Sequence, residues 1–164
     1  MNKQKSLKDN DAIFLDKDII FRFARLKVFS EGMGNSQREV IRLIHNGKLK
    51  AFISNNTPFS VINHLKYKYS RTKTQNSTTN LEKEAEAKIQ EWFQIIFGKG
   101  SWELVNIELA DYKKATEYKK LFWEDAVQYQ CACKVKDKIF ITQNMKDFEK
   151  SDLNAHAPQE FEFK

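Results

Sequence analysis

The residues best suited to chemistry in this 164-residue chain are carboxylates that stand next to apolar runs. Ala12-Ile13-Phe14-Leu15 runs straight into Asp16, and Asp18 follows two positions later. Glu124 and Asp125 open an apolar stretch rich in small residues, and Ile139-Phe140-Ile141 leads through Thr142 and Asn144 to Asp147. Unpaired charge at the end of a buried segment is costly, and clustered carboxylates raise one another's pKa. A hard divalent cation makes such a cluster stable, and oxygen donors of this type suit Mg²⁺ or Mn²⁺. An ion of that kind orients a water, lowers its pKa and neutralises a phosphodiester in the transition state. The plainer alternative is that Asp16 caps the following helix and Asp18 is merely its first-turn acid.

For these acids to meet, the segments that carry them must end at one edge of a sheet. A short apolar run of Ile, Phe and Leu reads as a strand buried on both faces. Asp16 then sits at its carboxyl end, where ligands bind in open α/β sheets. From Asp18 to about Phe29 the pattern turns helical, with Ile19, Phe23, Leu26 and Phe29 as an apolar stripe. Ser36 is expected to cap a second helix that runs to Asn46 and stops at Gly47, followed by a strand over Leu49 to Ser54. Thr57-Pro58 starts a third helix to about Tyr69, with Phe59, Ile62 and Leu65 inward.

The polar stretch 72–80 is expected to be a flexible linker. Leu81, Ala85, Ile89, Trp92 and Ile96 then mark a long amphipathic helix closed by Gly98. A strand over Trp102 to Ile107, a helix from Asp111 to about Leu121, a helix from Trp123 to Val135 and a strand over Lys138 to Ile141 follow. A short edge strand is expected in the tail, before Pro158. Strands separated by helices imply an α/β fold: a central parallel sheet of four to five strands with helices on both faces. Residues 1–11 are expected to form a disordered arm, and residues 12–164 a single domain.

Composition narrows the partners. The net charge of +6 favours polyanions such as nucleic acid or an acidic protein. Lys66-Tyr67-Lys68-Tyr69-Ser70-Arg71-Thr72-Lys73 is the stretch most like a nucleic-acid surface, because rings stack on bases while Lys66, Lys68, Arg71 and Lys73 meet phosphates. A solvated helix end, its cations near the C-terminal dipole, accounts for it equally well. No apolar run approaches the roughly 20 residues of a membrane span, so no membrane partner is expected. Cys131 and Cys133 are too close and too few for a disulfide framework and fit a cytoplasmic location.

Two families share parts of this pattern. The first strand and its two acids resemble the opening motif of the haloacid-dehalogenase-like phosphatases, in which the first Asp is a nucleophile and the second an acid. Ser54 resembles their second motif, but Thr142-Gln143-Asn144 stands where that family places acids after its last motif strand. The second resemblance covers nearly the whole chain. Ala12 to Asp16, Leu49 to Ser54, Trp123-Glu124-Asp125-Ala126-Val127-Gln128-Tyr129, and Thr142-Gln143-Asn144-Met145-Lys146-Asp147-Phe148 after its strand resemble the PIN-domain nucleases, in order and at domain spacing.

That resemblance implies a PIN-like fold and a Mg²⁺- or Mn²⁺-dependent endoribonuclease, in bacteria often the toxin of a toxin–antitoxin pair (the VapC-like group). Asp16, Asp125 and Asp147 match the family's metal-binding acids, Thr142 and Asn144 the polar residues that support them, and Glu124 a commonly acidic neighbour. RNA is the implied substrate and an antitoxin protein an implied partner, and the family allows a homodimer. Two departures stand out. Asp18 replaces a frequent Asn, and the acid of the third helix falls at about Ser60, which carries no carboxylate. Asp18 could supply a further oxygen donor. A catalytically weakened module that binds RNA or protein without cutting is therefore the alternative.

Overall fold

Alternation along Ala12–Leu15 sorts the interior into two layers, since successive strand side chains point to opposite faces. Ile13 and Leu15 pack into one apolar cluster, whereas Ala12 and Phe14 pack into another. All four are buried, as a strand covered on both faces requires. Full burial of a side chain such as Phe14 stabilises by about 2 kcal/mol. The structure, a computed structural model, describes residues 5–29, 32–71, 78–119, 121–148 and 154–162.

In chain order the strands are β1 (Lys5–Ser6), β2 (Ala12–Leu15), β3 (Lys50–Ser54), β4 (Ser101–Val105), β5 (Ile139–Ile141), β6 (Asn154–His156) and β7 (Phe161–Glu162). The helices are α1 (Lys17–Phe29), α2 (Asn35–His45), α3 (Thr57–Arg71), α4 (Thr78–Phe97), α5 (Leu109–Ala115), α6 (Trp123–Cys133) and α7 (Met145–Phe148), with a 3-10 turn at Pro158–Glu160. Five strands form one sheet in the order β4-β3-β2-β5-β6, every pair parallel. The fold is thus α/β with a five-stranded parallel sheet, as the alternation of strands and helices implied.

Helices α1 to α4 cover the face built from Ile13, Leu15, Ala51 and Ile53, with Trp92, Leu65 and Ile44 at its centre. The other face is covered by α6, whose Tyr129, Cys131 and Ala132 meet Phe14 and Phe140. The small residues of α6 let this helix lie close on the sheet. Burial pushes the Cys131 thiol up to about 12, so it packs as an apolar group. Among the described residues no helix is long and apolar enough to cross a membrane.

Several elements differ from the sequence expectation, each for a local reason. Helix α2 begins at Asn35, one residue before Ser36, and the Gln37 side chain turns back to accept the Gly34 N–H at 3.3 Å. Phe59 is 68% exposed because α3 buries Pro58, Val61 and Leu65 and so turns Phe59 to solvent. Residues 78–80 of the expected 72–80 linker form the first turn of α4, and 72–77 lie outside the described residues. Helix α5 ends at Ala115, well before Leu121.

Of the expected arm over 1–11, Lys5 and Ser6 form a strand in a second, two-stranded sheet. Lys5 and Ser6 pair in parallel with Phe161 and Glu162, Leu7 packs on the core, and residues 1–4 lie outside the described set. Asn10, with φ of 72°, turns the chain into β2, where the Ala12 N–H donates to Asp137 Oδ2 at 2.9 Å. Lys5 and Ser6 carry no apolar periodicity, so nothing local announces this pairing.

Candidate active site

Because β2, β3 and β5 are parallel, their carboxyl ends lie at one edge, where the chain turns away into helices. Asp16 follows β2 and Thr142 follows β5, and the two strands are neighbours. The Asp16 N–H donates to the Ile141 carbonyl at 3.0 Å, which fixes the register of the two strand ends. Across that junction the Thr142 hydroxyl donates to Asp16 Oδ2 at 2.6 Å. The same hydroxyl oxygen accepts the Asn144 N–H at 3.0 Å, so the turn after β5 is folded around it.

Asp16 is only 3% exposed, and its pKa is raised from 3.8 to about 6. Burial is the main cause, and the charges of Asp18 and Asp125 add to it. Hydrogen bonds from Thr142 and the Asp18 backbone N–H oppose the rise. The second of these is the helix cap: the Asp16 carboxylate accepts an N–H from the first turn of α1. Capping and site formation are therefore served by one side chain, and the two sequence readings of Asp16 do not compete.

An open cleft of about 410 Å³ adjoins Asp16, bordered by Lys17, Asp18, Trp123, Glu124, Asp125 and Asn144. Helix α6 opens at this edge and delivers Glu124 and Asp125 in its first turn, where carboxylates are favoured by the helix dipole. Asp125 is half-buried and close enough to raise the Asp16 pKa. The Glu124 carboxylate is ion-paired with the Lys17 ammonium across the cleft. Asp147 sits on α7, anchored by the buried ring of Phe148 against Phe140, with centroids 4.6 Å apart; its side chain lies outside what is described.

Ser60 does not border this cleft. It lines a smaller cavity of about 50 Å³, together with Lys17, Ser54, Thr57, Glu124 and Gln128. The two cavities meet at Lys17, Trp123 and Glu124. Among the described residues of the basic stretch, Lys66, Lys68 and Arg71 do not border this cleft either. A helix that leaves the carboxyl edge at Thr57 runs back along the sheet, about 1.5 Å per residue, so its last turn lies at the far end. There Lys66 pairs with Glu86 at 3.6 Å, and the Arg71 guanidinium lies 5.1 Å from the centre of the Tyr67 ring. Burial and the charge of Arg25 both press the Lys68 pKa down, and Lys73 lies outside the described residues.

Sequence reasoning left two residues of this edge without a role. Lys17 stands between Asp16 and Asp18, a signal plain in the sequence. Gln128 lies within a motif but carries no charge, so its burial is visible only in three dimensions.

The donor chemistry suits a hard divalent cation, because the carboxylates of Asp16, Asp18 and Asp125 and the Asn144 side chain border one cleft. The repulsion that Asp18 and Asp125 exert on Asp16 is what such an ion would relieve. Among the described residues, however, no three Asp, Glu, His or Cys side chains form a ready-made metal-binding group.

No family profile matches the sequence, and no curated protein matches it. Among solved structures, the chain is similar to that of FitAB bound to the IR36 DNA fragment, with a TM-score of 0.58 and 14% identity. The likeness spans 92% of this chain and 98% of that one, and at this identity it is a likeness of fold.

Proposed function

We propose, from the premise that this chain has the PIN fold, that it is a Mg²⁺- or Mn²⁺-dependent endoribonuclease. The observation that carries this reading is the convergence of Asp16, Asp18 and Asp125 on one open cleft, with Thr142 holding Asp16 in place. The likeness of fold to the FitAB structure, over 92% of this chain, is in keeping with the same class.

Asp16, Asp125 and Asp147 would hold the divalent ion, with Asp18 as a further donor. When bound, the ion supplies an activated water and positive charge at the scissile phosphate. The chain's own residues prepare that site. Thr142 fixes the rotamer of Asp16, and the Asp18 N–H holds its carboxylate. Phe122 and Trp123, 80% and 49% exposed, border the cleft as rings on which unpaired bases can stack. Asn144, exposed at the same rim, is within reach of a bound strand. An antitoxin chain is the proposed protein partner, because the ordered motifs around Asp16, Asp125 and Asp147 resemble those of the VapC-like toxins. Cytoplasmic action follows from an RNA substrate and is part of the same proposal.

A second reading has its own observation. Ser60 offers no carboxylate and no described triad of ligands is preformed, which favours a module that binds RNA without cutting it. One experiment separates the two. RNA incubated with the chain and Mn²⁺ is cleaved under the nuclease reading, and Asp16→Asn abolishes the cleavage. Equal cleavage by both proteins, or metal-independent binding without cleavage, rejects it.

A further inference from the structure

Lys17 is the cation that borders both cavities at the carboxyl edge. On one side lie the carboxylates of Asp16, Asp18 and Asp125. On the other, the lining oxygens next to Lys17 are mostly uncharged: the hydroxyls of Ser54, Thr57 and Ser60 and the amide of Gln128. The Ser54 and Thr57 hydroxyls bond each other at 2.8 Å. Gln128 is 5% exposed, yet its Oε1 has no hydrogen-bond partner. A buried acceptor left without a donor marks a place built for one.

Lys17 is half-buried, and the ion pair with Glu124 holds its ammonium at the junction of the two cavities. Hydrolysis of a phosphodiester calls for positive charge beside both the attacking and the leaving oxygen, which two-metal sites supply with ions about 4 Å apart. Here the smaller cavity offers hydroxyls and an amide to a second divalent ion, with Glu124 already committed to Lys17.

We propose that the Lys17 ammonium is the second cation of this site, contacting the scissile phosphate from the side of Ser60 and Gln128 while a single divalent ion is held on the side of Asp16 and Asp125. The inference rests on the nuclease reading and deepens it. Lys17 is then a catalytic residue, and Glu124 is the positioning residue that holds its ammonium.

Calorimetric titration of the full chain with MnCl₂, without RNA, tests this directly. One bound ion per chain is expected. Lys17→Met removes a positive charge beside the carboxylates and should bind Mn²⁺ about tenfold more tightly, while its cleavage of RNA falls through kcat. Lys17→Arg should keep the native affinity and recover most of the cleavage. Two ions on the unmodified chain, or an unchanged affinity in Lys17→Met, would overturn the inference and leave the nuclease reading standing. No Mn²⁺ binding by the unmodified chain overturns both. The stoichiometry of the unmodified chain decides the matter even where Lys17→Met does not fold.

Discussion

The Thr142 hydroxyl stands 2.6 Å from Asp16 Oδ2, a contact between residues 126 positions apart in the chain. It is the bond that opposes the upward pressure of burial on the Asp16 pKa. Thr142→Val keeps the shape and removes the donor, so Asp16 should titrate above its present value of about 6. Mn²⁺ titration of this variant should show weakened binding near pH 6.5 that recovers by about pH 8, as the carboxylate ionises. Binding equal to that of the unmodified chain at the lower pH would place the hydroxyl outside the site's electrostatics.

The raised Asp16 pKa also predicts a pH dependence of stability. Its folded value of about 6 exceeds the ordinary 3.8, so the folded state binds the proton more tightly than the unfolded one. The associated stability is fully present below pH 3.8 and is lost as pH rises through about 6. The full loss is about 3 kcal/mol at 1.36 kcal/mol per unit. Asp16→Asn should therefore stabilise the metal-free protein at pH 7.5 relative to the unmodified chain, since Asn caps a helix about as well as Asp. At pH 3.5 that gain should vanish. Urea unfolding at the two pH values, with a chelator present, gives the comparison.

Phe148 is the anchor of α7, with its ring 2% exposed and seated on Phe140. Phe148→Ala should cost about 3 kcal/mol by opening a cavity. It should also weaken Mn²⁺ binding, since Asp147 precedes it on the same short helix. Loss of stability with no change in metal affinity would remove Asp147 from the site.

Lys66 and Arg71 lie on the last turns of α3, away from the cleft. Replacing both by Ala should leave kcat on a short RNA within about twofold of the unmodified value, because neither side chain borders the cleft where the acids meet. A large fall in kcat would show that RNA wraps around the far end of the sheet.

Much of this architecture is legible from local pattern. The buried run Ala12–Leu15, the proline-started α3 and the small-residue face of α6 each announce their elements, and strand–helix alternation dictates a parallel sheet. The acid at the end of β2 is legible for the same reason. What escapes is whatever depends on a partner distant in sequence. Phe59 looks inward by type, yet the phase of α3 is set by Val61 and Leu65 against the sheet. The β1–β7 pairing joins Lys5 to Phe161 and leaves no periodic trace. Lys17 is visible as a lysine between two acids, but its pairing with Glu124 needs the fold. The basic and aromatic run 66–73 shows the converse: a persuasive composition says nothing about which edge of the sheet it will reach.

The parallel sheet has a consequence for the chain during its synthesis. A strand order that seats β2 between β3 and β5 leaves no hairpin to form early, and the last strand beside Asp16 is made only after 138 residues have emerged. Sheets closed by such distant pairings are slow to fold. An unfinished chain then holds Asp16 without Thr142, and cannot yet assemble the cleft. Under the nuclease function proposed above, that ordering keeps the nascent chain harmless to the message and the machine producing it.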